Sequence, residues 1–321
     1  MKQVEHLLGY RASIKVMDAT LRDGGLVNDF YFTDDFVKAL YKTNLEAGVD
    51  YMEMGYRASK KVFDETKFGK WKFCSDDHIR EIVGENDTDL KLAIMADIGR
   101  HDKNDFDEKV NSPVDMVRVA AYIHQMPEAI DMIEDAHKKG YETTCNIMAI
   151  SQTQESDLKV ALDMLGKTPV DTISIVDSFG SIYPEEMKRI VDIYMEAATK
   201  YGKQLGVHAH NNQQLAFANT IEACGDGVNW LDATYKGMGR GAGNCAMELL
   251  LGFLKNPKYN TYPVFRFISD YMVKLEEDGV VWGYDLQYLM TGQLNQHPRA
   301  AIKFTKDKRK DYAEFYKELI V

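Results

Sequence analysis

Cysteine is scarce in this 321-residue chain, and its four occurrences, Cys74, Cys145, Cys224 and Cys245, form neither a CxxC pair nor a zinc-finger spacing. That argues against a thiolate metal site and leaves buried free thiols as the expectation. Long apolar runs are missing too. No stretch approaches the ~18 uninterrupted apolar residues of a membrane helix, so no membrane partner is expected. The start, MKQVEHLLGYRASIKV, has no basic flank followed by a long apolar core, so no signal peptide is expected and the cytoplasm is the expected compartment. Positive charge is in deficit: 50 acidic side chains against 39 basic ones give a formal net charge of −11. This argues against nucleic acid as a partner, which needs cations to displace counterions from phosphates. The dinucleotide fingerprint GxGxxG is absent after the first expected strand, which counts against an open doubly wound sheet.

What is present is ordinary for a globular protein, with 45% hydrophobic and 28% charged residues. Short β-branched or alternating apolar runs recur near Ile14–Asp18, Tyr51–Gly55, Leu92–Asp97, Met116–Ala120, Thr143–Ala149, Thr172–Asp177, Gly206–His210 and Trp230–Thr234. Helical patterns fill the gaps. Thr33 followed by DDFVKALYKTNLEAG reads as an N-capped helix ending at Gly48, and PEEMKRIVDIYMEAATKYG opens on Pro184 and closes at Gly202. SDLKVALDMLGK and NNQQLAFANTIEACG read alike. Parallel neighbours need crossovers that helices supply. Eight strand–helix units match the ~250 residues of a closed (β/α)8 TIM barrel, an α/β fold. The expected organisation is a catalytic barrel over 1–260 and a C-terminal helical appendage over 261–321. In that appendage VFRFISDYMVKLEEDG and RKDYAEFYKELIV read as amphipathic helices.

Three segments carry candidate chemistry. In Gly206-Val207-His208-Ala209-His210 the two imidazoles, two residues apart on a strand, project to the same face while Val207 and Ala209 pack on the other. Such a pair needs only a carboxylate to complete a metal site; the alternative is two hydrogen-bonded structural histidines. Thr20-Leu21-Arg22-Asp23-Gly24-Gly25 follows the first strand, and only the eighth strand separates it from the seventh, so Asp23 is within reach of such an ion. Arg22 beside it suits a developing oxyanion, against the alternative of a surface turn. Finally, Lys236-Gly237-Met238-Gly239-Arg240-Gly241-Ala242-Gly243-Asn244 follows the eighth strand, a glycine-rich loop suited to approaching a ligand. Asn244 caps the next helix or orients the metal shell.

TLRDG, HxHNN and GxGxxxGN, in this order and spacing over the whole barrel, resemble the family of metal-dependent pyruvate aldolases and acyl-CoA condensing enzymes, closest to its 4-hydroxy-2-oxovalerate aldolases. The resemblance implies a divalent ion, Mn²⁺ first with Mg²⁺, Co²⁺ or Zn²⁺ as alternatives, on Asp23, His208 and His210. It implies Arg22 as the oxyanion-stabilising arginine and Asn244 near the metal. Asp177-Ser178-Phe179-Gly180 is similar to the turn that contacts the 2-oxo acid, which makes Ser178 a substrate-binding candidate. Gly283-Tyr284-Asp285-Leu286-Gln287-Tyr288 is similar to the tyrosine-bearing segment of the aldolases, which makes Tyr288 a catalytic candidate; the alternative is a core aromatic. The implied reaction is cleavage or formation of a 4-hydroxy-2-oxo acid through an enolate of pyruvate held on the ion, with a small 2-oxo acid and an aldehyde as partners.

One departure matters. The aldolases carry a histidine base three residues after the metal-binding aspartate, and here that position is Leu26. His124 in AAYIHQ and His297 in LNQHPR are candidate replacements, each otherwise an ordinary exposed histidine. Tyr56, Arg57, Tyr122 and His124 are candidates for the mouth, where the aldehyde enters. Two rival functions follow: a transferase condensing an acyl-CoA with a 2-oxo acid, and a catalytically silent metal-binding homologue. Homo-oligomerisation is expected, whereas a dehydrogenase partner of the kind some family aldolases have is in doubt, because the C-terminal appendage is short.

Overall fold

A computed structural model describes residues 13–102 and 105–321; the leading segment read above for a signal sequence falls mostly outside them. Eight strands, β1 (Lys15–Asp18), β2 (Tyr51–Tyr56), β3 (Lys91–Asp97), β4 (Met116–Ala121), β5 (Glu142–Ile147), β6 (Thr172–Asp177), β7 (Gln204–Ala209) and β8 (Trp230–Ala233), close into a barrel in chain order. All neighbours run parallel, and β1 seals the ring against β8 with Lys15 opposite Trp230 and Asp18 opposite Ala233. The expected (β/α)8 TIM barrel is borne out. Among the described residues no helix is long and apolar enough to cross a membrane.

Around the ring stand α1 (Thr20–Gly24), α2 (Asp34–Ala47), α3 (Asp76–Val83), α4 (Met126–Lys138), α5 (Glu155–Gly166), α6 (Pro184–Tyr201), α7 (Ala216–Gly225) and α8 (Met247–Leu254). Their ends follow local chemistry. Thr33 Oγ1 accepts the amide of Phe36, and Gly48 closes α2 in the left-handed region at φ 74°. Pro184 fills the first turn of α6. The helix expected from Asn211 begins only at Ala216. Gln214 takes φ 60°, and Asn211 turns its side chain to the Ala216 amide, so the polar NNQQ stretch forms the approach to the helix instead of its first turn.

Two kinds of packing share the barrel. Between strands and helices lies one continuous apolar shell that includes Val207 and Ala209. Inside, the N-terminal end is plugged by Met17, Tyr51, Ala93, Met116 and Trp230. One strand step further the inward positions become Glu53, Arg118 and Asp232, all buried.

Beyond the eighth helix the chain forms α9 (Thr261–Phe267), a π turn, α10 (Val273–Glu277), α11 (Leu286–Gln293), α12 (Arg299–Lys306) and α13 (Tyr312–Ile320). The first, α9, belongs to the barrel's own core: the Phe267 ring lies 5.2 Å from that of Phe36 and 5.1 Å from that of Tyr235. The last three build a separate apolar cluster of Tyr288, Ala301, Phe304 and Phe315. Asn295 ties them to the barrel mouth by accepting from the hydroxyls of Ser151 and Ser181 and donating to the Ser151 carbonyl.

A candidate metal centre at the barrel mouth

The two imidazoles of the HxH segment do share a face. Their ring centroids are 5.1 Å apart at 88°, His208 on β7 and His210 just beyond it, bridged to Asn244. Asp23 reaches them from α1, the short helix that follows β1. One ligand atom from each of Asp23, His208 and His210 lies within 4.8 Å of the others, and all three residues are buried. His208 Nε2 and His210 Nδ1 have no hydrogen-bond partner. Buried polar nitrogens are rarely left so. Two orphaned imidazole nitrogens beside a carboxylate therefore fit a divalent ion that takes nitrogen and oxygen donors.

The carboxylate is fixed from several sides. Arg22 Nη1 donates to one Asp23 oxygen at 2.7 Å; Asn244 Nδ2 at 2.6 Å and the Arg240 amide at 3.3 Å donate to the other. Burial pushes the Asp23 carboxyl up, but Arg22, the two histidines and Arg240 outweigh it and hold it below the usual carboxylate range. Burial likewise keeps His210 neutral, far below its ordinary value. An ionised carboxylate and a neutral imidazole are the forms that bind a metal. The glycine loop is shaped to this: a Cβ on Gly239 would stand 2.0 Å from Asn244 Nδ2 and 2.4 Å from Asp23 Oδ2.

Sequence reasoning missed the support beneath the ligands. Arg22 Nε donates to Glu53 at 2.8 Å, Arg118 donates to Glu53 at 2.9 Å and to Asp232 at 2.6 Å, and Asp232 lies 3.1 Å from His208 Nδ1. A buried chain of alternating charge thus runs from Asp23 to His208, two of the three candidate ligands. Burial raises the Asp232 carboxyl, but Arg118 and then His208 bring it down to about 2. The signal was available, since Glu53, Arg118 and Asp232 are lone charges inside the apolar runs YMEMGY, MVRVAA and WLDA.

Arg22, Asp23, His208, His210 and Arg240 line a cavity of about 60 Å³ whose other wall includes Leu26, Met95, Met148 and Val176. Tyr56 and Ser178 also line it. The Ser178 hydroxyl accepts the Ala149 amide, and its carbonyl accepts from Arg240 Nη2 at 2.6 Å. Asn244 does not cap a helix, because α8 starts at Met247 with Ala246 before it. Arg57 pairs with Asp76 instead of facing the cavity. His124 is exposed and stacked on Tyr122, centroids 5.8 Å apart. Tyr288 is buried in the C-terminal cluster, with its hydroxyl 3.3 Å from Thr305 Oγ1. His297 is half-buried, its ring 5.8 Å from that of Phe179. None of these last three lines the cavity.

A family model described as HMGL-like matches residues 13–266. The chain belongs to the HMGL-like family. Among HMGL-like relatives, a 4-hydroxy-2-oxovalerate aldolase of Moorella thermoacetica is 28% identical over 258 residues, covering 80% of this chain and 75% of that one. An oxaloacetate decarboxylase of Mycobacterium tuberculosis is 27% identical over 241 residues, covering 75% and 69%. The N-terminal domain of a candidate aldolase from Bacteroides vulgatus superposes with TM-score 0.77 at 30% identity, covering 91% of this chain and 97% of that one. The HMG-CoA lyase of Bacillus subtilis shares the fold at TM-score 0.66 and 16% identity, over 84% and 95%.

Proposed function

We propose that this HMGL-like protein is a divalent-metal-dependent carbon–carbon lyase that cleaves or forms a 4-hydroxy-2-oxo acid by way of a pyruvate enolate. The observation that carries the reading is that one ligand atom each of Asp23, His208 and His210 converges within 4.8 Å, each imidazole keeping one partnerless buried nitrogen, at the C-terminal end of the barrel, where active sites of this fold lie. Its likeness to proteins named 4-hydroxy-2-oxovalerate aldolase supports the substrate class. A divalent ion on Asp23, His208 and His210, with Mn²⁺ first and Mg²⁺, Co²⁺ or Zn²⁺ also matching the donors, would polarise the keto group of a 2-oxo acid as a Lewis acid.

The chain's own groups divide the remaining work. In cleavage the C3–C4 bond breaks, its electron pair becomes the pyruvate enolate, and the 4-hydroxyl loses its proton as the aldehyde carbonyl forms. Arg22 keeps one buried nitrogen, Nη2, without a partner, a donor free for the oxygen on which charge develops. Asn244 and the Arg240 amide hold Asp23 in place. Leu26 offers no proton acceptor, so the hydroxyl proton falls in this reading to His297, although like His124 and Tyr288 it does not line the cavity. The buried free thiols Cys74, Cys145 and Cys245 agree with a cytoplasmic setting, which we include in the proposal together with self-association.

Leu26 also favours a second reading. Loss of CO2 from a 2-oxo-dicarboxylate leaves the same enolate and takes no proton from a hydroxyl, so an apolar side chain there is no handicap. The relative named oxaloacetate decarboxylase points the same way. Metal analysis followed by NMR-monitored deuterium exchange into the pyruvate methyl tests the shared step. Rates on 4-hydroxy-2-oxovalerate and oxaloacetate then separate the readings, and thiol release from acetyl-CoA would indicate the condensing alternative. A metal-loaded protein that exchanges no methyl proton is a silent homologue, and the proposal is lost.

A further inference from the structure

Two protons move in the proposed cleavage. One leaves the 4-hydroxyl; the other joins C3 of the enolate and makes the methyl group of pyruvate. Few groups around the cavity can supply the second. Asp23, His208 and His210 are the candidate ligands, arginines keep their protons, and most of the remaining wall is apolar. Asn146 offers only an amide, which is no acid. Tyr56 and Ser178 are left, and the Ser178 oxygen is tied to the Ala149 amide.

Tyr56 reaches the cavity against the strand rule. Glu53 faces inward to Arg118, so strict alternation along β2 would turn Tyr56, three positions on, to the outside. The register with β3 shifts between Glu53 and Tyr56, and such bulges re-aim a side chain. Gly55 makes room for the change: it takes φ 153°, and a Cβ there would stand 2.1 Å from the Trp71 carbonyl oxygen. The segment pressed against β2 delivers Lys72, whose Nζ lies 4.4 Å from the centre of the Tyr56 ring. Phe63 and Phe30 flank the same ammonium at 4.3 Å and 5.0 Å. Lys72 is buried and forms no ion pair among the described residues. The Tyr56 hydroxyl has no hydrogen-bond partner among them.

We propose that Tyr56 carries the proton to C3 of the pyruvate enolate, with Lys72 behind its ring as a positioning residue. This rests on the lyase reading above and deepens it, and it serves cleavage and decarboxylation alike because both pass through the enolate. In the step the Tyr56 O–H bond breaks and its electron pair stays on the phenolate oxygen. The C2–C3 double-bond pair takes the proton, and the enolate oxygen becomes the keto group. Water then returns a proton to the phenolate. Burial, and then Asp97, push the phenol above its ordinary value. The ammonium on the ring face acts the other way, because it attracts the phenolate more than the phenol.

The test uses the metal-loaded full chain and Tyr56→Phe, which keeps the ring in the cavity wall. Deuterium exchange into the pyruvate methyl should fall about 100-fold or more in kcat, the low end of what a positioned acid or base supplies, with KM for pyruvate little changed. Ser178→Ala should retain exchange. Unchanged exchange in Tyr56→Phe, its loss in Ser178→Ala alone, or loss of stoichiometric metal from Tyr56→Phe overturns the assignment. Lys72→Met should lower kcat for exchange about fivefold, the scale of one desolvated cation–π contact, and Lys72→Arg should restore it; a change in KM alone, or no rescue, removes Lys72 from the proposal. Oxalate, in which an oxygen stands where the enolate has C3, reads the contact without turnover. Calorimetry should find it bound about tenfold more weakly by Tyr56→Phe, the scale of one charge-assisted hydrogen bond, and equal affinity refutes the contact. Absent exchange in the unaltered protein, with oxalate binding still dependent on Tyr56, would condemn the lyase reading alone.

Discussion

His208 Nδ1 lies 3.1 Å from the carboxylate of Asp232, which also accepts from Arg118 at 2.6 Å. An ionised carboxylate only accepts, so Nδ1 carries the proton and the lone pair of Nε2 is turned to the site. Asp232→Asn is therefore expected to weaken Mn²⁺ or Zn²⁺ binding about 10–100-fold, the usual effect of losing a carboxylate behind a ligating imidazole. Metal titration monitored by calorimetry, with circular dichroism to verify folding, measures it. Unchanged affinity would show that Asp232 does not set the tautomer. His208→Ala and His210→Ala should lose stoichiometric metal outright.

Arg22 has two duties that one substitution removes together. Its loss should lower turnover about 10²–10³-fold, the scale of one oxyanion donor. The same change strips Glu53 of one of its two buried cations, Arg118 being the other. Removing one partner of a buried pair costs about 3–5 kcal/mol, so Arg22→Ala should also unfold at clearly lower denaturant concentration. An Arg22→Ala protein with full activity would refute the assigned role, and one of undiminished stability would refute the network.

Leu26 stands in the cavity wall, at the position where the family resemblance leads one to expect a histidine base. Leu26→His is expected to raise cleavage of 4-hydroxy-2-oxovalerate at least tenfold, a modest share of the ~10²–10⁴ available to a positioned base, and to leave oxaloacetate decarboxylation without gain. Steady-state rates on both substrates decide it. A gain in decarboxylation alone would contradict the division of labour proposed for this position.

His297 should titrate near pH 4, displaced downward by burial and then by Arg240, Arg299 and Arg100. Its folded value lies below the unfolded one of about 6.5. The stability it contributes is therefore fully present above about pH 6.5 and is lost as pH falls through about 4. Imidazole NMR titration gives the midpoint directly, and Arg299→Gln should move it upward. A midpoint near 6.5 in the native protein would mean that the ring is not held in a desolvated setting.

Much of this was readable because it depends on short-range periodicity. The eight strands follow from runs with a two-residue repeat, α2 and α6 from Thr33, Gly48, Pro184 and Gly202, and the HxH pair from strand geometry alone. The family followed from three motifs in fixed order. Less was readable where residues distant in sequence had to meet. The polar NNQQ run passed for a helical turn because side-chain capping by Asn211 is invisible to periodicity. Tyr288 and His124 matched by motif and position, yet packing drew one into the C-terminal cluster and stacked the other on Tyr122.

By itself, then, the sequence determined the barrel, its ring of helices and the identity of the three candidate ligands, because local periodicity and residue type suffice for these. Tertiary structure alone decided that Glu53, Arg118 and Asp232 link Asp23 to His208, and that Arg240 reaches the Ser178 carbonyl beside the cavity. Such encounters are set by barrel closure. The charges that find each other across the ring lie 24 to 114 positions apart in the chain, beyond any local pattern.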